Sequence, residues 1–171
     1  MIEAANTIFP FLAIFGQILI LYVLVSLIFK KRGSKLFSFL SENALLLAFL
    51  VALGATLGSL FYSEVAGYEP CKLCWFQRIF LFPQVVILGA ALLGKAADVK
   101  NIVIALSALG ALFAVYHNLL LAGFVSERWC ASATVSCAQN FVFAFEYITI
   151  PVMSLTAFLL VGALMIVDSK T

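Results

Sequence analysis

The chain has 171 residues, of which 65% are hydrophobic and only 11% charged, and its net charge is +2. A soluble domain carries about a quarter charged residues to cover its surface, so a fully water-exposed exterior is excluded; the mean hydropathy of +1.17 points to lipid instead. The positive charge is too small and too scattered for a nucleic-acid interface.

Five apolar runs follow in chain order, each near the roughly 20 residues that a helix needs to cross about 30 Å of hydrocarbon. The short alternating segments of a β-barrel are absent. The first run, 8–29, ends in Lys30-Lys31-Arg32. It lacks a basic start and a small-residue cleavage site, so it reads as a retained transmembrane helix rather than a signal peptide. The second, 44–62, carries Gly54 and Gly58, a spacing that permits close helix approach. The third, 75–94, follows directly on Pro70-Cys71-Lys72-Leu73-Cys74 and contains Arg78, Pro83 and Gln84. Gln84 is the weaker site candidate because its depth points to the middle of the membrane. The fourth, 102–124, contains His117, the only histidine. Before the last run, 148–167, lie Cys130, Cys137 and an aromatic stretch with Phe141, Phe143, Phe145 and Tyr147. That stretch is too short to span and is expected to lie at the membrane interface.

Basic residues orient the chain. Seven of the ten, Lys30, Lys31, Arg32, Lys35, Lys95, Lys100 and Lys170, fall on one side. That side is expected to be cytoplasmic, with the N-terminus and both cysteine loops outside. There, disulfides form and persist.

The four cysteines form two pairs, and Cys71 and Cys74 stand where a helix begins. Unsatisfied N–H groups and the helix dipole stabilise a thiolate at such a place. Arg78, one turn beyond Cys74 on the same face, can stabilise that thiolate or negative charge developing on an acceptor beside it. The alternatives are inert structural disulfides, or a zinc site made by all four cysteines, although six residues between Cys130 and Cys137 fit zinc spacing loosely. The small polar residues between Cys130 and Cys137 suggest a flexible ring that a partner thiol can reach. His117 lies roughly 10 Å below the outer end of its helix. It either bonds a neighbouring helix or, with Arg78 at similar depth, brackets a polar head group.

Cys71-Lys72-Leu73-Cys74-Trp75-Phe76-Gln77-Arg78, Tyr116-His117, the second cysteine pair and Ile148-Thr149-Ile150-Pro151 together resemble the bacterial disulfide-bond formation protein B family, above all its short-loop members. The resemblance covers roughly residues 44–167. It implies a thiol:quinone oxidoreductase of the bacterial inner membrane that reoxidises an extracytoplasmic, thioredoxin-like partner of the DsbA type. It further implies that Cys71 and Cys74 are the quinone-proximal pair, with Cys74 making the thiolate contact to the ring. Arg78 and His117 would line the head-group site for ubiquinone or menaquinone, and Cys130 and Cys137 would meet the partner, Cys130 being attacked first. No metal is required, and no dinucleotide fingerprint is present.

The expected fold is an all-α integral membrane protein: a four-helix transmembrane bundle over 44–171, plus one additional N-terminal transmembrane helix and basic loop over 1–43. The additional helix departs from the family pattern. A vitamin-K-epoxide-reductase-like enzyme is the alternative, but its cysteine pair lies toward the end of the bundle sequence, whereas here it opens the bundle's second helix. A non-catalytic membrane scaffold with structural disulfides or zinc is the remaining class.

Overall fold

The computed structural model describes residues 2–29, 34–96, 98–126, 130, 135–138, 142–145 and 147–168. Among them six α-helices occur: α1 (Ile2–Ile28), α2 (Lys35–Glu42), α3 (Ala44–Leu60), α4 (Lys72–Leu92), α5 (Lys100–Leu121) and α6 (Ile150–Val167). Five are long and apolar enough to cross a membrane, α3 counting with the turn that extends it to Val65. They match the five apolar runs, though α1 starts at Ile2 rather than residue 8. The protein is a helical membrane protein.

α2 has no counterpart among the expected elements. Ser34 caps it by accepting from the Phe37 N–H at 3.3 Å, and Tyr22 on α1 shares a 2.6 Å hydrogen bond with the same hydroxyl. Its Phe37 and Leu40 turn into the core beside Val23 and Val167. Ser41 donates to the Val167 carbonyl at 2.7 Å, and the Lys100 ammonium to that of Asp168 at 2.9 Å. Those two bonds satisfy carbonyls that the end of α6 would otherwise leave orphaned.

α6 packs on α1, α3 and α5, while α4 closes the bundle between α3 and α5. Ala44, Ala48 and Ala52, each with no exposed surface, form a small-residue stripe on α3 at helical spacing. Small residues let membrane helices approach closely, so that dispersion contacts hold them together. The Phe158 ring of α6 sits against Gly110 of α5, where any β-carbon would overlap it. Gly54 and Gly58 do not make the helix crossing that their spacing suggests. A β-carbon on Gly54 would meet nothing within 4 Å, and one on Gly58 would meet only the Phe9 ring, at 3.3 Å.

The aromatic stretch folds as a tight turn. Ala144 and Ile148 exchange backbone hydrogen bonds of 3.0 and 2.8 Å across it. Phe145 meets Phe11 of α1 edge-on at 5.1 Å, and the Tyr147 hydroxyl donates to Gln17 Oε1 at 2.9 Å. The stretch is therefore anchored on α1, with Phe143, Phe145 and Tyr147 half or more exposed. Phe141 lies outside the described residues.

Candidate functional site

At the end of α3 the helix widens into a π-helical turn, Phe61–Val65. Such turns re-aim side chains by one position and recur at functional sites. Here the turn buries Tyr62, whose ring stacks on Tyr68 at 5.9 Å. Gly67 then takes a φ of +70°, which the reversal toward α4 requires.

Cys71 is the N-cap of α4. Its sulfur accepts from the Cys74 N–H at 3.4 Å and lies 3.0 Å from Cys74 Sγ. The Cys74 thiol, donating to it, does most to pull the Cys71 pKa from 9.0 down to about 4, with His117 adding to the effect against the opposing influence of burial. The cap position thus favours the thiolate form of Cys71 when the pair is reduced. Cys74, to which the family resemblance assigns the contact with the quinone ring, is half-buried.

His117 stands between the two cysteine pairs. Its Nε2 donates to the Cys137 carbonyl at 3.0 Å and lies 3.9 Å from Cys71 Sγ; its Nδ1 accepts from the Gln77 amide at 3.2 Å. These partners hold the ring between the two cysteine pairs. Cys74, Gln77 and Arg78 occupy one face of α4, at i, i+3 and i+4. Arg78 turns the other way from His117, toward α3, where Nε and Nη2 donate to the hydroxyl and carbonyl of Ser59 at 2.9 and 2.8 Å. Its guanidinium sits 5.3 Å from the Trp75 ring centroid. The anchors hold a buried cation, 7% exposed, in place.

Cys130 and Cys137 are joined in a disulfide. It is covered rather than presented: the two residues are 2% and 1% exposed and pack with Cys71, Leu73 and Leu120. The reachable ring inferred from composition involves residues 131–134, which lie outside the described residues.

Two adjoining cavities meet at Cys74 and Arg78. The smaller, about 60 Å³, also touches Cys71, His117 and Ser136. The larger, about 370 Å³, runs from Gln77 and Arg78 down into apolar surface of α1, α3 and α6. Ser59, Tyr62 and Pro151 border both. Cys71, Cys74, Arg78 and His117 are thus brought to one place, with the second cysteine pair beside them. Gln84 is fully buried and lines neither cavity.

Ser59, Tyr62 and Gln77 were missed in the sequence. Gln77 had a signal, being polar and one helical turn from Cys74. Ser59 and Tyr62 had none, since their role depends on α3 meeting α4. The donor atoms of Cys71, Cys74 and His117 also lie within 4.8 Å of one another. Two thiolates and an imidazole suit a soft ion such as zinc, and only the reduced pair has both thiolates to offer.

A helix-capping dithiol inside a membrane bundle, next to a second, covered cysteine pair, defines a membrane thiol–disulfide oxidoreductase. The chain matches the family described as Disulfide bond formation protein DsbB over residues 41–167, and it belongs to that family. A probable disulfide formation protein of Deinococcus radiodurans is 41% identical over 133 residues, covering 72% of this chain and 87% of that one. Disulfide bond formation protein C of Bacillus subtilis is 40% identical over 116 residues, covering 67% and 83%. A probable disulfide formation protein of Metapseudomonas resinovorans is 39% identical over 127 residues, covering 73% and 88%. No solved structure matches. The family's activity is disulfide formation at the membrane, and α1 lies outside the matched segment.

Proposed function

We propose that the protein is a thiol:quinone oxidoreductase of the bacterial inner membrane, with its cysteine end outside. It reoxidises a thioredoxin-like extracytoplasmic partner. The observation that carries this reading is the position of the Cys71–Cys74 pair, with a disulfide packed on one side and an apolar cavity headed by Arg78 on the other.

The partner's thiolate attacks Cys130, breaking the Cys130–Cys137 bond and forming a mixed disulfide. The partner's second thiol resolves it, so the partner leaves oxidised and Cys130 and Cys137 hold two electrons as thiols. A thiolate of that pair then attacks the Cys71–Cys74 disulfide and passes both electrons inward. His117, 3.9 Å from Cys71 Sγ, donates toward the thiolate that develops there. The Cys74 N–H at the helix cap does the same, and neither group has to move.

The larger cavity fits a quinone. Arg78 supplies a fixed positive charge at its polar end. Among the described residues the Tyr62 hydroxyl is buried without a hydrogen-bond partner, leaving a donor for a carbonyl oxygen. The remaining walls are apolar and suit a hydrocarbon tail. A bound ubiquinone or menaquinone supplies a two-electron, two-proton acceptor at this place. Arg78 stabilises the negative charge building up on its oxygen, the more strongly in a low dielectric.

The test is reoxidation of a reduced thioredoxin-like partner by purified protein, with and without added quinone. Quinone-dependent turnover abolished by Cys74→Ala is expected. Partner oxidation that continues without quinone and without oxygen would overturn the reading.

A further inference from the structure

The additional helix α1 has no place in the thiol exchange, yet it forms much of the larger cavity. Phe9, Leu12, Phe15 and Gly16 line the cavity from one side, facing Leu50 and Gly54 of α3. α1 is fastened at three levels. Near the cysteines, the Phe9 ring sits on Gly58 and lies 5.6 Å from the Tyr62 ring. In the middle, a Gly16 β-carbon would lie 3.1 Å from Thr156 Cγ2, and Gln17 donates to the Thr156 hydroxyl at 3.3 Å. At the far end Val23 is buried in the core with Ala44 and Ala48. Between the first and last of these levels α1 leans on α6 and leaves α3 uncovered. There the cavity opens: Leu12, Phe15 and Leu50 are each more than half exposed at its rim.

We propose that α1 and α3 form a lateral portal and that the space behind it holds the isoprenoid tail of the membrane quinone. This rests on the thiol:quinone reading above. Without α1, the faces of α3 and α6 beneath Arg78 would meet bilayer directly, and a tail there would compete with lipid. With α1 in place the tail lies between fixed apolar walls. Among the described residues, the exposed rim at Leu12 and Leu50 gives it a sideways route to the membrane. Gly54 borders that space on α3, and its missing side chain leaves the cavity open there.

The experiment is photolabelling of the full-length protein in lipid nanodiscs with a quinone carrying a diazirine in its tail, followed by peptide mapping. Label is expected on α1 within 9–16 and on α3 within 47–54, competed away by unlabelled tailed quinone. Gly54→Leu, which fills the space, and Leu12→Trp, which narrows the mouth from an exposed position, should each cut that label at least about four-fold, the loss of one buried methylene's worth of contact. Both should lower the ratio of kcat/KM for tailed over tail-free quinone by a similar factor. Competable label on α3 and α6 but not on α1 would sink the portal while leaving the quinone reading intact. So would both variants keeping wild-type label and ratio. Absence of any competable label on α1, α3 and α6 alike would remove the quinone reading itself, and the portal with it.

Discussion

Arg78 binds Ser59 twice, through the serine's hydroxyl at 2.9 Å and its backbone carbonyl at 2.8 Å. The guanidinium thereby becomes a fixed part of the cavity head rather than a mobile arm. Arg78→Met should therefore slow quinone reduction by at least about ten-fold, as expected when one preorganised charge is lost. Exchange with the thiol partner should slow far less. Ser59→Ala removes only the hydroxyl contact and should show a smaller defect of the same kind. Steady-state quinone reduction beside single-turnover thiol exchange separates the two, and equal loss in both would contradict the assignment.

The lowered Cys71 pKa has a consequence for redox potential. The group is depressed from 9.0 to about 4, so its stabilisation of the reduced form is complete above 9 and fades as pH falls toward 4. Over that window the reduced pair holds one proton instead of two. Its potential should fall by about 30 mV per pH unit rather than about 60, for a two-electron couple. Redox titration against glutathione across the pH range, with Cys130 and Cys137 both replaced by Ala, checks this. His117→Ala should move the break in the plot upward from about 4, because one of the groups favouring the thiolate is gone.

If the Cys130–Cys137 disulfide receives electrons first, Cys137→Ala leaves no thiol at position 137 to release a partner bound to Cys130. A mixed disulfide should accumulate and resolve on non-reducing gels. A Cys130→Ala, Cys137→Ala protein that oxidises the partner at the wild-type rate would exclude this order.

Topology can be read directly. In a cysteine-free background, Ser34→Cys at the cap of α2 should resist a membrane-impermeant thiol reagent applied to intact cells. A cysteine placed at Glu69, exposed and beside the positions of the redox pair, should react. The opposite pattern would invert the protein.

The long helices are legible because lipid makes a simple demand: an uninterrupted apolar run must satisfy its own backbone. The same demand hides α2, whose eight residues carry too little apolar surface to stand out from a basic loop. Cys71, Cys74 and Arg78 are legible because they lie within two turns of one helix. Ser59 and Tyr62 are not, because a serine and a tyrosine in an apolar run gain meaning only when another helix docks. Gly54 and Gly58 show how pattern misleads. Their spacing reads as a helix contact, whereas the space beside Gly54 stays open and the surface of Gly58 takes one aromatic ring.

The covered position of the Cys130–Cys137 disulfide sets what can discharge the protein. With 2% and 1% exposure these residues offer a small thiol in solution no open line of approach. In-line attack on a disulfide sulfur needs room behind the bond, and here Cys71, Leu73 and Leu120 pack with the two cysteines. A protein partner that docks and displaces the cover gains access that glutathione at ordinary concentration lacks. On the proposed function, that burial would act as insulation, releasing oxidising power to a docked recipient instead of leaking it into every thiol nearby.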